Sequence, residues 1–130
     1  MKILTIRSDK PEAEIGLFED ASQLDYEVWQ AGRDLSLTIL SKITGLLEKN
    51  SLDFKDLDGV VGFKGPGSFT GLRIGLTVAN TLAYGLKIPV VGSDAAQWIQ
   101  DGAARLITGQ DERIVLPGYG RAPNTTRPKK

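Results

Sequence analysis

Leu57-Asp58-Gly59-Val60-Val61-Gly62-Phe63-Lys64-Gly65-Pro66-Gly67-Ser68-Phe69-Thr70-Gly71-Leu72-Arg73-Ile74-Gly75 contains the change of period on which the fold turns. Its first part, LDGVVGF, sets apolar residues side by side instead of alternating them, the pattern of a strand covered on both faces. The glycine-rich turn at 64–68 leads into a helix over residues 69–86. A strand, a tight turn and a helix make the first half of a βα crossover, so helices are expected against a partly parallel sheet.

Upstream, residues 2–7 (KILTIR) form a run of apolar and β-branched residues, the mark of a buried strand. Two more strands are expected at 13–19 and 24–28, the second alternating apolar and charged residues; short turns make the three an antiparallel meander. The period changes at residue 34. Leu35, Ile39, Leu40, Ile43, Leu46 and Leu47 recur three and four apart, giving an amphipathic helix over 34–50 with Asp34 or Ser36 as its cap. Downstream, 88–92 reads as a strand, and Ser93 or Asp94 as the cap of a third helix reaching 106. A last short strand is expected at 113–116. The order β-β-β-α-β-α-β-α makes residues 1–116 one α/β domain with a mixed sheet. Residues 117–130 form a proline-rich tail.

The chain has 130 residues, 14.1 kDa, with 16 basic and 16 acidic side chains. Such a balance gives no overall field toward nucleic acid or anionic lipid. The last ten residues carry four positive charges and no negative one, which leaves −4 on the rest; a contact of this tail with RNA is one reading, a solubilising end the other. With no cysteine and no histidine, disulfides, thiolate nucleophiles, Ser/His/Asp catalysis and Cys- or His-ligated zinc are excluded. No apolar run is long enough to span a bilayer, and a cytoplasmic protein without membrane attachment is expected. No catalytic residue and no metal ligand set emerges. Trp29 and Trp98 read as packing residues.

The turn Gly65, Pro66, Gly67, Ser68, followed by Thr70 and Gly71, has two readings, a phosphate cradle at a helix start or a tight strand-to-helix turn. It matches neither a Walker loop, since Ser68-Phe69 stands where Lys-Ser/Thr is needed, nor G-x-G-x-x-G, since Gly71 comes one position late. On the helix, Thr70, Arg73, Thr77, Asn80, Thr81 and Tyr84 share an arc of about 100°, and the remainder is apolar or small. That is about twice the stripe a helix on one sheet needs. Gly71, Gly75, Ala79 and Ala83, four apart, add a shallow groove. The surplus surface either packs closely on the domain's own sheet or receives a helix from a partner.

The run GPGSFTGLRIG, preceded by DGVVGF and followed by GLKIPVVG, resembles the TsaB family, and the resemblance covers residues 1 to about 106. It implies the N-terminal domain of the ribonuclease H-like/actin-like ATPase superfamily. It further implies a non-catalytic scaffold that binds the related TsaD subunit through its first two helices, in support of threonylcarbamoyl transfer to tRNA adenosine next to the anticodon. A TsaE-like ATPase would dock on the assembly, and tRNA would be met only through the complex. On this reading Leu37 and Ser41 on the first helix, with Phe69, Leu72, Arg73, Leu76, Asn80 and Ala83 on the second, form or border the interface. Leu76→Arg is then expected to leave the domain folded and abolish TsaD binding. No cofactor is expected on this chain alone, with ATP or ADP at the assembled complex.

Three departures from the family pattern bear on this. Arg7-Ser8 stand where members end their first strand in Asp-Thr, the place where active relatives position metal and phosphate. Leu35 stands where many members have a histidine. The second domain, which supplies the other wall of the superfamily's nucleotide cleft, has no counterpart before the tail. The competing expectations are a minimal nucleotide-binding phosphotransferase that uses the glycine turn, and a homodimer that buries the same helix pair on itself.

Overall fold

The first strand, β1 (Lys2–Arg7), has Ile3, Leu4 and Ile6 at 0–1% exposure, and the rest of the sheet grows from both of its edges. In this computed structural model, which describes residues 1–67 and 69–118 with the Phe69 side chain left out, β2 (Glu12–Glu19) lies antiparallel on one side of β1. Beyond it β3 (Ser22–Gln30) is antiparallel to β2, with a bulge at Leu17/Phe18. On the other side β4 (Gly59–Phe63) and β5 (Val90–Ser93) run parallel, giving the order β3-β2-β1-β4-β5. The meander and the crossovers are both present, and β4 is buried along its whole length, as side-by-side apolar residues require.

Helices α1 (Leu35–Lys49) and α2 (Phe69–Leu86) cover one face, and α3 (Trp98–Ile107) covers the other. The alternation of side chains along β4 separates the layers. The Cβ position of Gly62 faces Leu76 of α2, while Gly59 faces Leu106 and Val61 faces Gly102, both on α3. Ile39, Ile43, Leu46 and Leu47 of α1 and Leu72, Leu76, Ala79 and Ala83 of α2 are all in the core, each at 3% exposure or less. A buried side chain of the leucine or isoleucine class is worth about 1.5–3 kcal/mol.

Several local expectations are corrected. Residues 32–34 form a separate 3-10 turn, Gly32–Asp34, and Asp34, though at the N-cap position of α1, makes no side-chain cap bond. Helix α3 starts at Trp98, later than a cap at Ser93 or Asp94 allows. Ser93 ends β5 and donates its hydroxyl to Asp101 at 2.6 Å, and Ala95, at φ 66, turns the chain before the helix.

Residues 113–116 form no strand. The segment 111–118 instead closes the β5 edge through scattered bonds. The Val90 amide donates to Asp111 Oδ1 (3.1 Å), the Glu112 amide to Val90 O (2.9 Å), the Gly92 amide to Glu112 Oε2 (3.2 Å) and the Gly118 amide to Lys64 O (2.6 Å). Asn80 of α2 grips the same segment twice, donating to Val115 O at 3.1 Å and accepting from the Val115 amide at 2.8 Å. Side-chain bonds thus share the work of ladder bonds with two backbone bonds, and Val115, within this strap, is 1% exposed. The tail from residue 119 onward lies outside the described residues.

Candidate functional site

The end of β1 meets the start of α2 at close quarters. Ser8 is 2% exposed and donates its hydroxyl to the Gly71 carbonyl at 2.7 Å. A Cβ on Gly75 would lie 2.0 Å from Ser8 Oγ, so only glycine lets α2 seat this deeply. Gly65, at φ 107, takes a backbone conformation that a side chain would strain, and a Cβ there would also meet the Gly118 carbonyl at 2.4 Å. A Cβ on Gly67 would meet Asp9 Cβ at 2.4 Å. The turn glycines therefore have packing reasons inside the chain. Pro66 is exposed in the same turn, Thr70 is exposed and Gly71 half-buried in the first turn of α2, and Ser68 lies outside the described residues.

On the α3 face of the same corner, Arg7 is pinned. Its Nε and Nη2 donate to the two carboxylate oxygens of Asp9 at 2.8 and 3.2 Å, and its guanidinium lies 4.0 Å from the Phe63 ring centroid. That hydrogen bond to Asp9 holds the Arg7 pKa above its ordinary value. Phe63 in turn meets Trp98 edge-on at 5.5 Å, and Trp98 is buried, as a packing residue should be. Nearby, burial and the 2.6 Å bond donated to Glu14 push the Tyr26 phenol well above the ordinary tyrosine range. Leu35, at the start of α1, is 3% exposed and belongs to the core. Among the described residues no group of three His, Cys, Asp or Glu side chains is placed to hold a metal ion.

The outer face of the α1–α2 pair is different. Leu37 is 79% exposed and Leu40 51%, with Ser41 exposed one turn after Leu37. Between the helices runs a groove of about 280 Å³ lined by Ser36, Ile39, Leu40, Arg73, Ile74, Thr77 and Val78. Of the positions expected to meet a partner, Arg73 lines this groove, while Leu37 and Ser41 are exposed on α1 outside its lining.

Three others do not, and their assignment is corrected. Leu72, Leu76 and Ala83 are 0, 3 and 3% exposed and point into the chain's own sheet. The small-residue stripe meets the chain's own sheet: Ser8 and Ile6 lie under Gly75, and Ala79 lies over Gly62. Leu76→Arg would thus bury a charge in the core and unfold the domain rather than test an interface. Asn80 is half-buried and occupied with Val115. The Phe69 side chain lies outside the described residues. Leu40, Ile74, Thr77 and Val78 line the groove without a distinguishing signal in the sequence: Leu40 has the spacing of a core residue, and Thr77 shares the polar arc of α2.

Other exposed apolar side chains are scattered elsewhere: Leu24 and Val28 on β3, Tyr84 near the end of α2, and Ile107, Ile114 and Leu116 toward the end of the described chain. No helix among the described residues is long and apolar enough to cross a membrane.

Comparison with known proteins places this geometry. The family model described as TsaD, tRNA N6-adenosine threonylcarbamoyltransferase, matches residues 29–104. The tRNA threonylcarbamoyladenosine biosynthesis protein TsaB of Escherichia coli (strain K12) is 28% identical over 121 residues, covering 88% of this chain and 52% of that protein. TsaB of Bacillus subtilis (strain 168) is 33% identical over 90 residues, 69% of this chain and 39% of its own length. The chain is a TsaB-like member of this family. It spans about half the length of the curated relatives it matches.

Solved structures agree on the fold. YeaZ from Pseudomonas aeruginosa superposes with a TM-score of 0.66 at 24% identity over 72% of this chain and 43% of that one. Thermus thermophilus RuvC gives a TM-score of 0.53 at 14% identity, covering 92% and 85% of the two chains. The TsaB-like chain thus has the ribonuclease H-like/actin-like fold.

Proposed function

We propose that this TsaB-like chain is a non-catalytic scaffold in tRNA threonylcarbamoyladenosine synthesis, docking a TsaD-like subunit in the cytoplasm on the outer face of α1 and α2. The observation that carries the proposal is the exposure of Leu37 and Leu40, 79% and 51%, on the outer side of α1, where Leu40 lines the groove together with Ile74 and Val78. Adjacent exposed leucines beside an apolar groove are the makings of an interface centre. Ser41, Arg73 and Thr77 supply its polar border.

The corner at Arg7 supports the non-catalytic half of the proposal. Where active relatives are expected to place metal and phosphate, the TsaB-like chain has a guanidinium bound to Asp9 and stacked on Phe63. A fixed cation disfavours a divalent metal there, which weighs against the phosphotransferase alternative. ATP or ADP, and a TsaE-like ATPase, then belong to the assembled complex, and tRNA is met through it. The same helix face on a second copy of this chain is the competing occupant.

Isothermal titration of the chain with a TsaD-like subunit tests the proposal. Leu37→Asp/Leu40→Asp should leave the far-UV circular dichroism and melting unchanged and weaken binding at least thirtyfold, from ~1 kcal/mol or more per central residue. Unchanged affinity in a folded double variant would remove this face from the interface.

A further inference from the structure

Away from the α1–α2 groove and from the Arg7 corner, the C-terminal end of α2 borders a cavity of about 620 Å³. Its lining combines Tyr84, Gly85, Lys87, Ile88 and Pro89 with Asp111 and Arg113 of the strap. We propose that this corner binds a nucleotide, its base against the Tyr84 ring and its phosphate between Lys87 and Arg113.

Four observations converge on that chemistry. The Tyr84 ring is 87% exposed, although a tyrosine on a solvated helix face has nothing to gain from holding an aromatic surface in water. Gly85 follows it inside the helix, where glycine is a poor helix former, and a Cβ there would meet nothing within 4 Å. Packing within the chain does not call for that glycine, and its absent side chain leaves flat ground beside the ring. Lys87 and Arg113 are exposed, and neither belongs to any ion pair among the described residues. Both also hold the left-handed backbone conformation, φ 59 and 67, where glycine would be at ease.

The negative end of the α2 dipole accounts for one cation at Lys87. It does not account for Arg113, which the strap brings from another part of the chain. The single acid in the lining, Asp111, turns its carboxylate oxygen Oδ1 to the amides of Val90 (3.1 Å) and Arg113 (2.8 Å). An aromatic face with two unpaired cations is the combination that single-stranded nucleic acids use, since every base offers a π-face and every phosphate a charge.

The test uses the full chain alone, without a partner subunit, so its outcome is independent of the interface proposed above. Fluorescence anisotropy would follow a labelled single-stranded uridine octamer, with AMP as competitor. Tyr84→Ala should weaken octamer binding at least about fivefold, the low end of base–aromatic stacking. With two phosphate contacts, raising salt fourfold should cost about sevenfold in affinity, a dependence that Lys87→Gln/Arg113→Gln should remove.

Displacement by AMP identifies a mononucleotide pocket. Variant-sensitive octamer binding that AMP does not compete identifies a strand-binding corner. Both support the shared chemistry. Failure of the octamer to bind at low salt overturns the proposal. So does equal affinity in folded variants, which would assign any RNA contact to the basic residues beyond 118. Variants that leave the octamer untouched but weaken a TsaD-like partner would make the corner a protein interface instead.

Discussion

Gly75→Ala tests which face α2 turns to the sheet. The added Cβ would fall 2.0 Å from Ser8 Oγ, 3.0 Å from Ser8 Cβ and 3.4 Å from Ile6 Cγ2. The first contact is impossible without movement, so Ser8 must rotate or α2 must lift. Rotation breaks the 2.7 Å bond from Ser8 to the Gly71 carbonyl, a loss of about 0.5–1.5 kcal/mol. Overpacking adds about 1–3 kcal/mol. Against these stands a helix-propensity gain of about 0.8–1.0 kcal/mol for alanine over glycine. The net is a destabilisation of about 2 kcal/mol, or roughly 5–10 °C in melting temperature for a domain of this size. Thermal and urea unfolding followed by circular dichroism would read it. Ser8→Ala in the same background removes the offending oxygen and should recover about half of the loss, so the two substitutions should couple. A Gly75→Ala protein that melts at or above the parent temperature would refute the close approach. So would a Ser8→Ala/Gly75→Ala pair whose effects simply add.

Two further predictions concern the strap and the aromatic corner of the sheet. Asn80→Ala removes both bonds to Val115 and leaves its amide without a partner. It should cost about 1–3 kcal/mol and speed hydrogen exchange at Val115 by tenfold or more, with 111–118 becoming cleavable in limited proteolysis; unaltered exchange would mean that Asn80 does not hold the strap. The Tyr26 phenol is raised by burial first and by its bond to Glu14 second, so the stability it carries is complete below the unfolded tyrosine pKa of about 10 and falls as pH rises beyond it. Absorbance titration at alkaline pH should show this phenol ionising late, at the unfolding transition; release of all tyrosines together in the ordinary range would contradict its burial.

Most of the fold is legible in the sequence because period reports layers. KILTIR and DGVVGF mark strands with two covered faces, and the three- and four-residue recurrence from Leu35 to Leu47 marks α1. The orientation of α2 is not legible in the same way. Gly71, Gly75, Ala79 and Ala83 form a stripe whose spacing is the same whether it meets a partner or the chain's own sheet. Only the close packing of Ser8 on Gly75 decides between them. The strap over β5 was equally hidden. Beside two backbone bonds it is held by Asp111, Glu112 and Asn80 through side-chain bonds to backbone groups, and such bonds leave no periodic trace. For the candidate face, Arg73 belongs to the polar arc that helical spacing marks on α2, whereas Leu37 and Ser41 follow from the family resemblance alone. Leu40 is not marked by either, because an exposed leucine and a core leucine look alike until the sheet beneath them is known. Lys87 and Arg113 lie in separate segments, and nothing local in either announces that the fold brings them to one cavity.

The central claim is that the outer face of α1 and α2 suffices to hold a TsaD-like subunit. Size-exclusion chromatography with light scattering, on the chain alone and mixed with a TsaD-like subunit from the same source, tests it most directly. A single peak with the mass of a heteromeric complex, lost when Leu37 and Leu40 are both replaced by aspartate, is the predicted result. Separate elution of the two unmodified proteins at micromolar concentration, or a complex that survives both replacements, would contradict it.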